Sequence, residues 1–362
     1  MKRSVSPESR PAYLRLYEKL RGDIVRGVYP YGGKLPSKRV AADEAGVSVI
    51  TAEHAYAILC DEGYIEARER SGYFVIFRRD DGFASPAAAT AAPTPAADRS
   101  VRPAFPFSVL TKAMRAVMSD AGPAIMERSP GEGLPQLREA IALYLARSRG
   151  IRTEADRIIV GAGAEYLYRL VVDLLGRDRL YAIEAPSYMM IERMYLACGA
   201  AYEMLPLGKD GIKSRDLWAA KADVLHISPY RSFPSGVTAS ASKRHEYLRW
   251  AEKPGRYIVE DDFESEFSVS RKPEETLISN TTRDNVIYIN SFSQTISPSF
   301  RAGYMVLPRH LADQYGEKLG FYACTVPTFE QLVLERLLTG GDFERHINRV
   351  RRQKRRELAA DK

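Results

Sequence analysis

The 362-residue chain is poor in the residue types that mark several protein classes. Its three cysteines, Cys60, Cys198 and Cys324, are an odd number, far apart, and lack CxxC or histidine spacing. That excludes a disulfide framework and a zinc site, and leaves them as packing residues. The five histidines, His54, His226, His245, His310 and His346, have no metal-ligand spacing, and there is no GxSxG, Walker loop or HExxH. His226, on an apolar run, reads as a satisfied core histidine. No apolar run reaches the roughly 18 residues needed to span a bilayer. Met1-Lys2-Arg3-Ser4 leads into polar residues rather than a secretory segment, so a cytoplasmic location is expected.

What is present is ordinary for a globular protein, with 45% hydrophobic and 27% charged residues and length enough for two or three domains. The net charge of +7 is unevenly placed. Residues 1–79 hold 14 basic and 10 acidic side chains, residues 342–362 hold 8 and 4, and the middle is nearly balanced. A basic N-terminal segment suits nucleic acid, and a solvated surface gives the same arithmetic. The stretch from Asp80 to Arg102 carries three prolines and almost no large apolar side chain. It reads as a flexible Ala/Pro-rich linker over 80–104 between a domain at 1–79 and one at 105–362.

In the first domain, Tyr13, Leu16, Tyr17, Leu20, Ile24 and Val25 recur at helical spacing and stop at Gly27. Ser37 caps a short helix through Glu44, Gly46 turns the chain, and a second helix runs from about Ser48 to Glu62. Two strand-like runs from Tyr64 to Phe77 follow, separated by a charged turn with Ser71-Gly72. This order is that of a winged helix-turn-helix. A recognition helix reads base edges from its first turn, here Ser48-Val49-Ile50-Thr51 followed by Glu53 and His54. Ser48, Thr51 and His54 are the candidates for that role. Ser37, Lys38 and Arg39 at the preceding helix start, with Arg68 and Arg70 in the wing, are candidates for phosphate contact. Tyr17-Glu-Lys-Leu-Arg21, Leu35-Pro-Ser-Lys-Arg39, Gly46-Val-Ser48, Ala55-Tyr-Ala-Ile-Leu59, Glu62-Gly-Tyr-Ile65 and Ser71-Gly-Tyr-Phe-Val75 together resemble the N-terminal domain of GntR-type bacterial repressors. Many members of that family place a basic residue where this chain has Val49.

The second domain alternates helical stretches (Leu134 to Arg147, Tyr166 to Leu175) with short apolar runs at 157–160, 180–183, 224–227, 257–259 and 286–290. That pattern predicts an α/β fold with a mostly parallel sheet. Six ordered segments carry a resemblance: Ser129 to Arg138, Gly161-Ala-Gly-Ala-Glu165, Glu184-Ala-Pro-Ser-Tyr188, Phe233-Pro-Ser-Gly236, Glu260 to Phe267, and Ser291 to Tyr304. They are similar to the aminotransferase-like, fold-type I module of MocR-subfamily GntR regulators. The resemblance implies pyridoxal 5'-phosphate as cofactor. Its phosphate would lie at Gly163, Ala164 and Glu165 where a helix opens, with Arg301 as a charged contact. Tyr188 would cover the ring, and Asp261 would hold the ring nitrogen. Without a ligand, Asp261 is an acidic strand end, Tyr188 is core and Arg301 pairs with Asp261.

The same comparison finds departures. The family's Schiff-base lysine falls at Gln294, whose amide is not nucleophilic, so covalent cofactor binding is not expected. The family tyrosine after the Asp-Asp pair is Phe263, and its His-Gln pair is Arg231-Ser232. The chain ends soon after Phe343 to Arg352, where the family continues into a small subdomain, so the large domain is expected to be C-terminally truncated. The basic run Arg349 to Arg356 reads as a solvated helix face. The expectation is a homodimeric regulator that binds a double-stranded DNA operator, is not an enzyme, and answers to a small-molecule effector. The alternative is an active aminotransferase fused to a DNA-binding domain.

Overall fold

The structure, a computed structural model, describes residues 11–69, 71–78, 105–263, 265–268 and 275–360. Two compact units divide between residues 98 and 99. The expected linker, 80–104, and Arg70 lie outside the described residues.

The small unit orders α1 (Ala12–Arg26), α2 (Lys38–Ala45), α3 (Val49–Asp61), β1 (Ile65–Arg68) and β2 (Gly72–Val75). The two strands pair antiparallel, Ile65 opposite Val75 and Arg68 opposite Gly72. Each cap acts as its residue type dictates. Ser37 Oγ accepts from Val40 N at 3.3 Å, Ser48 Oγ accepts from Thr51 N at 3.1 Å, and Gly46 takes the left-handed conformation that ends α2. Leu16, Tyr17, Leu20 and Ile24 from α1 pack on Ala52, Ala55, Tyr56 and Leu59 from α3, closed below by Leu35, Ile65 and Val75. Tyr17 donates to Glu62 at 2.5 Å, which ties α1 to the end of α3 and pushes the phenol up to about 12.

The large unit begins with α4 (Phe107–Ala121) and α5 (Pro135–Ser148). It continues through β3 (Ile158–Gly161), α6 (Ala164–Leu175), β4 (Leu180–Ala185), α7 (Met189–Ala197), β5 (Ala201–Gly208), β6 (Gly211–Ile212), α8 (Ser214–Ala219) and β7 (Val224–Ile227). The remainder is α9 (Ala241–Trp250), β8 (Tyr257–Asp261), α10 (Leu277–Asn280), β9 (Val286–Ser291), β10 (Gly303–Val306), α11 (Arg309–Leu319), α12 (Thr328–Thr339) and α13 (Asp342–Ala360). Among the described residues its eight strands lie in the order β3-β10-β9-β8-β7-β4-β5-β6. The four central pairings from β9 to β5 are parallel, while β10 runs antiparallel between β3 and β9. The predicted mostly parallel α/β sheet is what forms.

Period-two alternation divides the strands between two helical layers. Ile158, Val160, Tyr288, Tyr304 and Val306 face α4, α5, α12 and α13, whereas Ile159, Ile287, Ile289 and Met305 face α6, α7 and α11. On α13, Phe343, Ile347 and Val350 are buried, and Arg351 donates to the Glu266 carbonyl at 2.5 Å. The run Arg349 to Arg356 is therefore not wholly solvated: Arg351 anchors the helix, and Lys354 lies over the Phe267 ring at 5.1 Å.

Buried acids gather around the sheet. Glu184 accepts from Ser232 Oγ at 2.6 Å and Ser228 N at 3.2 Å, both on one oxygen. Glu260 accepts from Leu277 N and Ile278 N at 2.8 and 3.0 Å. Burial pushes Glu184, Glu260 and Glu266 each up to about 7. His346, pushed down to about 4 by burial and by Arg349, works in the opposite sense. A carboxyl whose folded value is raised stabilises the fold below its unfolded value and loses that contribution as pH rises through the folded one. With three such acids against one histidine, the large unit is expected to lose stability between about pH 5 and pH 7. Glu184→Gln retains an acceptor oxygen for both serines and cannot ionise. Its stability advantage over the parent should grow by roughly 2 to 3 kcal/mol from pH 5 to pH 8. Urea unfolding followed by tryptophan fluorescence measures it, since Trp218 and Trp250 both lie in this unit. An advantage independent of pH would refute it.

Candidate functional site

In the small unit, the N-terminal ends of α2 and α3 carry the residues expected to meet DNA. Lys38 Nζ pairs with Glu53 Oε1 at 2.6 Å and lies over the Tyr73 ring at 5.5 Å. The Glu53 hydrogen bond raises the lysine and lowers the acid. Both side chains are solvent-accessible, so this bridge is cheap to exchange for a phosphate. Arg39 is exposed at the next position. Arg68 pairs with Glu66 at 2.7 Å and stacks on Phe74 at 4.5 Å. The Ser48 and Thr51 hydroxyls share a 2.8 Å hydrogen bond, and His54 stacks on Tyr13 with ring centroids 4.3 Å apart. Thus Ser37, Lys38, Arg39, Ser48, Thr51 and His54 are brought to the two helix starts.

In the large unit, strand registers bring the other candidates to one edge. Gly161 ends β3 and pairs with Gly303, which opens β10 just after Arg301 and also pairs with Ser291 at the end of β9. Asp261 pairs with Ile289, Glu260 with Ile227, and His226 with Ile183. Gly163, Gln294, Asp261, His226, Glu184 and Tyr188 therefore lie at or near the carboxyl ends of β3, β9, β8, β7 and β4, and Arg301 joins them from just before the amino end of antiparallel β10. This edge is the usual ligand position in an open α/β sheet.

Helix α6 opens at Ala164, two residues before the predicted Tyr166, because Gly163 (φ 85°) makes the turn that precedes it. Glu165 is consequently in the first turn. A side chain at Gly163 would meet Arg301 Nη2 at 3.0 Å. Arg301 does not pair with Asp261; its Nη2 donates to Glu165 Oε2 at 2.6 Å, across the mouth of the helix. Asp261 lies on β8, two strands from β10.

Asp261 is buried and accepts on Oδ2 from the Tyr168 hydroxyl. Its Oδ1 has no hydrogen-bond partner among the described residues. His226 is buried with Nδ1 bonded to the Tyr195 hydroxyl at 2.7 Å, and its Nε2, 3.9 Å from Asp261 Oδ2, likewise lacks a partner. The satisfied core histidine expected from sequence is only half satisfied. Sequence reasoning missed Tyr168 and Tyr195, because tyrosines on apolar helix faces read as core. Tyr188 is 39% exposed, so it is not core, and it meets Phe233 edge to face at 6.0 Å. Gln294 lies half-buried in the turn after β9.

The model of aminotransferase class I and II matches residues 104–362. The chain belongs to this family. The model of bacterial regulatory proteins of the gntR family matches residues 12–75. YdeL of Bacillus subtilis, an uncharacterized HTH-type transcriptional regulator, is 29% identical over 96% of this chain and 78% of its own length. The probable rhizopine catabolism regulatory protein MocR of Rhizobium meliloti is 28% identical over 94% and 74%. Kynurenine aminotransferase of Pyrococcus horikoshii, solved with PMP, superposes with a TM-score of 0.64 at 25% identity, covering 71% of this chain and 66% of that one.

Family resemblance supports pyridoxal phosphate as the group for this edge, and the residues fit it. The α6 N-terminus with Arg301 offers amides and a cation for a phosphate, and the open oxygen of Asp261 suits a protonated ring nitrogen. When bound, the group supplies an electron-withdrawing ring and an aldehyde. A phosphate bound at Arg301 would compete with Glu165 for its guanidinium. Glu165→Gln is therefore expected to strengthen pyridoxal phosphate binding, and Arg301→Ala to weaken it about tenfold or more, the worth of a hydrogen bond to a charged group. Equilibrium dialysis measures both. Equal effects on unphosphorylated pyridoxal would refute a phosphate role.

Proposed function

We propose that this chain is a sequence-specific DNA-binding transcriptional regulator of the GntR/MocR type. The observation that carries this is the gntR-family helix-turn-helix and wing, with basic residues at the start of α2 and an exposed first turn on α3. The naming of similar relatives as HTH-type or regulatory proteins supports it. In this reading residues 1–79 bind DNA, 80–104 link, and 105–362 dimerise and answer to a small effector, in the cytoplasm. Pairing two small units on one operator raises affinity through effective concentration.

The large unit is proposed to bind without turning over. Asp261, Tyr188 and the α6 N-terminus hold ligand groups, whereas Gln294 offers an amide where the resemblance places a nucleophilic amine. The 362-residue protein equilibrated with pyridoxal phosphate, freed of excess by gel filtration and then reduced with borohydride should keep its unmodified mass. A stoichiometric pyridoxyl adduct on one lysine would instead favour an active aminotransferase fused to the DNA-binding domain.

For the DNA surface, Arg39→Ala should weaken binding to all duplexes and lower the slope of log affinity against log salt by about 1. Lys38→Ala should weaken it further, because it also leaves Glu53 as an unpaired anion beside the phosphates. Fluorescence anisotropy across a salt series measures both. An unchanged slope would remove these residues from the phosphate contacts.

A further inference from the structure

The first turn of α3 has an unusual surface for a helix that reads DNA. Its two polar residues, Ser48 and Thr51, are engaged with each other: Ser48 Oγ takes the Thr51 amide and shares the Thr51 hydroxyl. The next polar side chain, Glu53, is tied to Lys38, and His54 lies flat against Tyr13. What projects outward is apolar: Ile50 is 78% exposed and Val49 is 45% exposed. Four other residues of the same helix, Ala52, Ala55, Tyr56 and Leu59, already fill the core, so neither Val49 nor Ile50 is needed there. Basic residues flank the turn at Lys38 and Arg39, which gives the surroundings the charge that suits phosphates.

The major-groove edge of a base pair carries one apolar group, the thymine C5-methyl. Branched aliphatic side chains at the start of a recognition helix fit that group and nothing else on the edge. Both side chains are β-branched and hold a single strongly preferred rotamer on a helix, so presenting their methyls costs little conformational entropy. Building on the DNA-binding reading above, we infer that Ile50, with Val49 beside it, selects thymine in the operator by apolar contact with its C5-methyl group, and that the Ser48 and Thr51 hydroxyls hold the helix start instead of reading bases.

The test uses the whole 362-residue chain and a randomised duplex library, from which the preferred site is selected. Each thymine of that site is then replaced by uracil, which pairs identically and lacks only the methyl. Affinity is expected to fall about fourfold at one or more thymines, the worth of one buried methyl group. The Ile50→Ala protein should show no such loss at those positions while keeping its binding to unselected duplex. A selected site indifferent to uracil throughout, or an Ile50→Ala protein that keeps the full penalty, overturns the thymine contact and leaves the DNA-binding reading intact. Failure to bind any duplex overturns both. If Ile50→Ala alters the oligomeric mass and leaves base choice unchanged, the pair serves a protein contact and the inference falls. Val49→Ala, also at an exposed position, repeats the measurement on a second variant that leaves the core intact.

Discussion

Helix α6 rests on the sheet where two adjacent strands have no side chain. A Cβ at Gly161 would come within 2.7 Å of Tyr166 and 2.8 Å of Leu167, and one at Gly303 within 2.9 Å of the Asn290 carbonyl and 3.3 Å of Leu167. Leu167 thus occupies space left open by β3 and β10 together. That close approach fixes where the helix starts and which way it points. Two residues before Leu167 the Glu165 carboxylate accepts from Arg301, and the residue after it, Tyr168, reaches Asp261. The Arg301–Glu165 and Tyr168–Asp261 contacts, at the two ends proposed to meet a phosphate and a ring nitrogen, are therefore set by a single helix seat. β10 must run antiparallel for this to work, because only then does its first residue, and not its last, lie at the carboxyl edge beside Gly161.

The acidic run Glu260-Asp261-Asp262 shows how strand geometry turns three similar residues to three uses. Glu260 is satisfied by the backbone that opens α10, Asp262 by Arg149 at 2.8 Å and Tyr288 at 2.6 Å, and Asp261 by Tyr168 on one oxygen only. Removing one partner from a buried ion pair such as Arg149 and Asp262 costs several kcal/mol, so those two residues hold the strand end in place. Asp261 differs in carrying an open acceptor into the edge. A buried polar atom without a partner is costly, and at a strand's carboxyl end a ligand is the natural means of relieving that cost.

Much of this was legible in the sequence, and for local reasons. Ser37 and Ser48 announce helix starts because a serine hydroxyl satisfies an otherwise orphaned amide, and the runs at 224–227 and 286–290 announce buried strands because apolar residues fill both faces of a parallel sheet. The pairings that complete the candidate site were not legible. Arg301 and Glu165 are 136 positions apart, and Tyr168 and Asp261 are 93 apart. Nothing in their neighbourhoods marks them as partners, because only the strand order brings them together. Thr51 is a different case: its residue type suits a base contact, yet the neighbouring cap residue supplies a nearer partner for its hydroxyl.

The proposed division of labour also makes physical sense of Gln294. On the proposed reading, a pocket with the α6 N-terminus and Arg301 for a phosphate and Asp261 for a ring nitrogen would have most of the groups that give noncovalent affinity. Without a covalent link, occupancy follows free ligand concentration and relaxes at the ligand's own dissociation rate. An enzyme gains from holding its cofactor through many turnovers, whereas a sensor gains from letting it go. A ligand can shift a regulator only by binding its two states unequally. In the proposed reading the Arg301–Glu165 bridge is the element best placed to differ between them, since a phosphate bound there would compete with Glu165 for the same guanidinium.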